Sequence, residues 1–156
     1  IDEDFGLAFA KSQIGAGQTL PNSGTVFVSL REGDKDGILG AMREMVDMGF
    51  RIIATRGTKR HLEQHGIPCE HVNKVLEGRP HIVDTIKNGG VQLVFNTTEG
   101  SKALADSKDI RRTALLNRIP YCTTLAGAIA VTKAIKALRG GHLKVAPLQA
   151  YISQPT

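Results

Sequence analysis

Tryptophan is absent from this sequence, and aromatic residues make up only 4% of its 156 residues. With the basic residues also spread along the chain, there is little on which nucleic-acid bases could stack. No run of about eighteen apolar residues occurs, so the pattern offers no membrane-spanning helix. A basic stretch leading into an apolar one is missing too, and no secretory signal is visible. Cysteine is scarce. Cys69 and Cys122 lie in apolar-leaning segments without close spacing, which reads as two reduced, partly buried thiols in a cytoplasmic protein.

Several chemical signatures are also missing. No Gly, four residues, Gly-Lys-Ser/Thr string supplies a P-loop, and no Gly-x-Gly-x-x-Gly follows the first strand candidate. A Gly-x-Ser-x-Gly nucleophile elbow does not occur. His61 and His65 stand four apart, but the acid between them is Glu63 rather than the residue after the first histidine, so the zinc-protease pattern fails. Cys69 and His71 could extend the pair into a soft cluster. Surface histidines around a strand edge are the favoured reading, and no metal site is expected.

What is present is a globular composition, 41% hydrophobic and 22% charged, the size of one domain with one sizeable core. Twenty Lys and Arg against fifteen Asp and Glu give a net charge of +5, a balance that favours anionic partners. The chain opens Ile1-Asp2 without Met, which points to a segment of a longer polypeptide.

Short apolar runs alternate with helical patterns. Residues 5–16 read as an entry helix, and residues 18–24 as a turn-rich connection. Strand candidates follow at residues 25–30, 50–54, 67–72, 91–95 and 121–123. Between and after them, helical spacing covers residues 35–48, 58–65, 81–88, 106–118 and 125–138. Strands separated by helices imply right-handed crossovers, hence a doubly wound α/β sheet with parallel strands and helices on both faces. Residues 1–20 are assigned to the entry connection and 21–156 to the domain proper.

In such a sheet, ligands sit beyond the carboxyl ends of the strands, where the strand order reverses. Those ends carry phosphate-binding residue types. Ser29 and then Lys35 follow strand one, Thr55, Gly57 and Thr58 follow strand two, Lys74 follows strand three, and Asn96, Thr97 and Thr98 follow strand four. Hydroxyls and backbone N–H groups at helix starts suit a phosphate, and lysines supply charge. Each feature alone is ordinary capping; four strand ends alike favour a phosphate site.

The strings SLREGDK (29–35), ATRGT around Thr55, VNKVLEGRPHIVDTIKNG (72–89), FNTTEG (95–100) and DIRRTAL (109–115) occur in that order. Together they resemble the carboxy-terminal allosteric domain of the carbamoyl phosphate synthetase large subunit, which has the methylglyoxal-synthase-like fold. The resemblance covers nearly the whole chain and implies a strand order of 3-2-1-4-5. It implies regulation rather than bond-making: uridylate (UMP) as inhibitor and inosinate (IMP) as a related occupant. Carried over by position, the effector site falls on Ser29, Lys35, Thr55, Thr58, Lys74, Asn96, Thr97, Thr98, Asp106 and Ser107. Tyr121 and Thr123 match one side of an ornithine pocket.

The segment itself is expected to be non-catalytic and to need no cofactor. The parent ligase would use glutamine-derived ammonia, bicarbonate and ATP with magnesium or manganese and potassium, feeding pyrimidine and arginine synthesis. Its expected partners are the rest of an oligomeric large subunit and a glutaminase small subunit. Cys122 and Arg56 stand where relatives can have an acidic residue and a histidine, positions that could tune base preference. Both Lys35 and Lys74 favour a phosphorylated nucleotide over N-acetylglutamate.

The alternative within the same fold is methylglyoxal synthase, a phosphate-eliminating lyase that needs a carboxylate base beside the phosphate. Its Gly-Gly-Asp-Gln stretch has no counterpart at Leu76-Glu77-Gly78-Arg79-Pro80, where Glu77 reads as a loop carboxylate. An inosinate cyclohydrolase domain shares only a Leu-x-Gly-Arg string, and a free-standing nucleotide sensor differs only in its partner.

Overall fold

The computed structural model describes residues 20–21, 23–74, 78, 80–98 and 107–139. The entry helix expected at 5–16 and the tail after 140 lie outside them.

Five parallel strands form one sheet: β1 (Thr25–Ser29), β2 (Arg51–Ala54), β3 (Glu70–His71), β4 (Leu93–Asn96) and β5 (Tyr121–Cys122). Their order is β3-β2-β1-β4-β5, as the resemblance implied. Among the described residues the helices are α1 (Leu39–Asp47), α2 (Arg56–Gln64), α3 (Ile82–Lys87), α4 (Lys108–Leu116) and α5 (Leu125–Arg139). β1 is central: Val26 pairs with Ile52 of β2 on one side and Leu93 of β4 on the other.

The pleat alternates side chains between faces, and two cores result. Val26 and Val28 of β1 join Ile52, Leu93 and Phe95 in one, packed with Met42 and Met45 of α1, Leu62 of α2 and Val131 and Ile135 of α5. Phe27 points the other way, joining Ile53 and Val94 against Ile82 and Ile86 of α3 and Ile110 of α4. The three central strands are therefore buried on both faces, which explains their continuous apolar runs. Helices cover both faces, as expected from the alternation. Leu62 is 1% exposed, and truncating such a side chain to alanine costs about 2–5 kcal/mol.

The boundaries shift for local reasons. A short 3-10 turn (Glu32–Asp34) and a further turn over residues 35–38 occupy what the spacing predicts as the first turn of α1. Gly37 lies close to α5 there: a Cβ would come within 2.5 Å of the tip of the Leu125 side chain, which would have to shift. α2 begins two residues before the expected start, with Thr55 as its N-cap. Gly49, at φ +93°, ends α1 in the left-handed region that glycine reaches without strain. α4 stops at Leu116 rather than Arg118, and Arg118 itself takes φ 57°. The third strand shortens to two exposed residues at the sheet edge. Among the described residues, no helix is long and apolar enough to cross a membrane.

Candidate functional site

β1 and β4 are neighbours, but their following helices pack on opposite faces, so their carboxyl ends diverge into a crevice. Its volume is about 230 Å³. Ser29 and Leu30 from the end of β1 line it, with Arg31 and Glu32 from the next turn. Thr55 enters from β2, and Lys74 from the segment after β3. Asn96, Thr97 and Thr98 close it from β4, and Ser107 and Ile110 from α4.

Hydrogen bonds tie these walls together. The Thr97 N–H donates to the Ser29 carbonyl at 3.0 Å, and the Arg31 N–H donates to Thr97 Oγ1 at 3.0 Å. Thr55 Oγ1 donates to Ser29 Oγ at 3.1 Å rather than capping its own helix. That leaves the first-turn N–H groups of α2 without a bond from the cap residue, at the positive end of the helix dipole. Asn96 Nδ2 donates to Ser107 Oγ at 2.9 Å and to Tyr121 Oη at 2.8 Å. Lys74 follows Asn73, whose side chain donates to the Pro80 carbonyl at 3.2 Å and whose backbone pairs with His81. These bonds fix the start of the loop that carries the lysine.

The charges around the mouth are paired. Arg31 Nε donates to Asp34 Oδ2 at 2.9 Å, and this bond, opposed by desolvation, holds the Asp34 carboxyl below its usual range. Lys35 Nζ donates to Glu32 Oε1 at 2.9 Å, and that bond lowers the Glu32 carboxyl. Tyr121 is raised by burial, against a smaller opposing effect of the Asn96 bond, so its hydroxyl is neutral and remains a donor.

Seven residues expected from sequence meet in the crevice: Ser29, Thr55, Lys74, Asn96, Thr97, Thr98 and Ser107. Lys35 and Thr58 do not line it. Lys35 is held by Glu32 beside Gly57, whose Cβ would lie 3.2 Å from Nζ. Thr58 is 2% exposed, and its Oγ1 accepts the Leu30 N–H at 3.0 Å. It braces the crevice wall from behind. Asp106 and Glu77 lie outside the described residues. Thr123 is exposed at the end of β5 and does not line the crevice, whereas Tyr121 reaches it through Asn96. Arg31 and Glu32 are additions; their signal was their place directly after Ser29, within the same turn.

Comparison with known proteins agrees with this fold. The model of the MGS-like domain family matches residues 37–123, more than half of the chain. The chain is 57% identical to the carbamoyl phosphate synthase large chain of Mesorhizobium japonicum, over 98% of this chain and 13% of that one. It is 56% identical to the same protein of Rhizobium meliloti, over 97% and 13%. It thus spans about an eighth of the length of these relatives. Among solved structures, methylglyoxal synthase from Elizabethkingia anophelis shares the fold with a TM-score of 0.59 at 18% identity, covering 72% of this chain and 79% of that one. Five parallel strands in this order, with the family match running from ahead of α1 through β5, lead to one conclusion: the chain belongs to the MGS-like domain family.

Proposed function

We propose that this chain is the effector-binding domain of a carbamoyl phosphate synthase large subunit, and that it senses nucleoside monophosphates such as UMP and IMP. The observation that carries this reading is the crevice between β1 and β4. There Ser29, Thr55, Thr97 and Thr98 present hydroxyls around one opening, with the Lys74 chain and the Arg31 guanidinium at its walls. Hydroxyls, backbone donors and cationic side chains around one concavity suit a phosphate dianion. Asn96 spends both amide hydrogens on Ser107 and Tyr121, which leaves its carbonyl oxygen for a donor on the ligand.

The high identity to large chains of that name supports the parentage. In this reading the parent ligase works in the cytoplasm with ATP, divalent metal and potassium bound elsewhere. A glutaminase subunit supplies its ammonia. Residues 21–156 form the sensing unit, residues 1–20 lead in from the preceding part of the subunit, and Tyr121 and Thr123 form one side of an ornithine pocket.

Calorimetric titration of the chain with UMP, IMP, N-acetylglutamate and ornithine tests the reading. Saturable binding of a nucleoside monophosphate, with weaker binding of its unphosphorylated nucleoside, is expected. Binding of N-acetylglutamate alone would overturn it.

A further inference from the structure

On the far side of the turn that follows β1, three side chains converge outside the crevice. Asp36 comes from the turn over residues 35–38, and His61 and His65 stand one helical turn apart on α2 and its C-cap. The histidine rings lie 4.7 Å apart, centroid to centroid. His61 Nε2 is 2.8 Å from Asp36 Oδ1, and one ligating atom from each of the three residues lies within 4.8 Å of the others. We propose that Asp36, His61 and His65 bind a late first-row divalent cation, zinc or a neighbour of it, and so clip the turn after β1 to α2.

Three features support this. First, the donor set of two imidazoles and one carboxylate suits zinc, with water completing a tetrahedron. Second, His65 Nδ1 lies 3.0 Å from the His61 carbonyl. A carbonyl only accepts, so Nδ1 is the donor, and in the neutral imidazole the lone pair then lies on Nε2. Outer hydrogen bonds orient metal-bound histidines in this way. Third, the three ligating atoms stand close enough for one ion to gather them, all within 4.8 Å of one another. Two ligands on a tetrahedral zinc stand roughly 3.3 Å apart at bond lengths of about 2.0–2.1 Å. The 2.8 Å contact between His61 and Asp36 therefore opens by only about half an ångström as metal replaces the shared proton. Asp36 is 85% exposed at its side chain and His61 20%, so an ion can enter from solvent and this adjustment meets little packing.

The fold assembles a different group from the one the sequence suggested. Cys69 is not a member: burial raises its thiol to about 11, and Sγ donates to the Lys59 carbonyl at 3.8 Å. Asp36, from a separate element, takes that place. The site also borders the crevice, since Asp36 follows Lys35, whose Nζ is bonded to the crevice residue Glu32.

Titration of the 156-residue chain with zinc chloride by calorimetry tests the proposal, with cobalt(II) absorption reporting coordination and circular dichroism confirming that each variant is folded. One equivalent is expected to bind and to produce the visible bands of tetrahedral cobalt. Asp36→Asn, His61→Gln and His65→Gln should each weaken binding by at least about tenfold, the loss that disturbing even an outer partner can bring. Cys69→Ser and His71→Ala should leave it unchanged. Absence of saturable binding, or binding that survives the three ligand variants and disappears with Cys69→Ser or His71→Ala, would overturn the assignment.

Discussion

The amide of Asn96 and the hydroxyl of Tyr121 are joined by a 2.8 Å hydrogen bond between β4 and β5. Asn96 is buried at 4% exposure and lines the crevice, so Tyr121 touches the candidate effector site through one intermediary. Removing the hydroxyl leaves an Asn96 hydrogen without its partner. Tyr121→Phe is expected to lower stability by about 1–3 kcal/mol, read as a shift in the urea midpoint with an unchanged slope. It should also weaken UMP by a smaller factor than Lys74→Ala does. Equal affinity in Tyr121→Phe and the parent chain would show that the Asn96 amide does not meet the ligand.

Lys74 provides the sharper probe. A charge-assisted bond to a phosphate oxygen contributes about 1.5–3 kcal/mol, so Lys74→Ala should weaken UMP about ten- to 150-fold. Uridine, which has no dianion, should lose far less. The side chain is exposed, so the urea midpoint should hardly move. Titrating parent and variant with nucleotide and nucleoside gives four affinities; a loss of equal size for both ligands would displace the phosphate from where we have put it.

Thr58 was expected from sequence to meet the ligand, and its burial predicts a different outcome. Thr58→Val keeps the shape and removes the acceptor for the Leu30 N–H, a buried bond. The orphaned donor costs about 1–3 kcal/mol. Thr58→Ser retains the acceptor and should stay closer to the parent. Chemical denaturation of both variants distinguishes a brace from a ligand contact: a stable Thr58→Val chain with lost nucleotide binding would reverse the assignment.

The two buried thiols lower stability at alkaline pH. Burial pushes Cys69 up to about 11 and Cys122 up to about 12 from an ordinary 9. Between 9 and those values the folded chain holds protons that the unfolded chain has released. Stability is therefore full below pH 9 and declines as pH rises through the window. Urea midpoints measured from pH 7.5 to 10.5 should fall in the parent and fall less in Cys69→Ser/Cys122→Ser. Identical slopes would remove the thiols from the account. Alkylation of either cysteine at pH 8 should also be slow until the chain unfolds, because the thiolate is the reactive form.

Much of this architecture was legible because parallel strands buried on both faces leave an unbroken apolar signature, as in Val26–Val28 and Leu93–Phe95. The strand ends were legible for a related reason: the crossover rule sends each of them to the same side of the sheet. Strand order was not in the spacing and came from the family resemblance. What one-dimensional pattern could not supply was direction. Thr55 and Thr58 look alike in sequence, yet the start of α2 at Arg56 turns Thr58 inward beneath Leu30. Asp36 was hidden because helical spacing over 35–48 read as one helix, whereas the turn ahead of Leu39 carries it to α2.

The central place of β1 also sets an order of assembly. Val26 meets Ile52 through a short crossover, but it meets Leu93 only after the chain has passed through β2, β3 and α3. Closing the longer loop costs more chain entropy, and non-local pairing of this kind slows folding. The β1–β2 half is thus expected to pair first, and β4 to dock later. Because the crevice lies between β1 and β4, it comes into being only with that docking. A nucleotide bound there engages the completed sheet and not its half-built precursor, so it should slow the departure of β4 more than that of β2. Hydrogen exchange with and without UMP would show the added protection concentrated in Leu93–Asn96 and the β1 amides that pair with them.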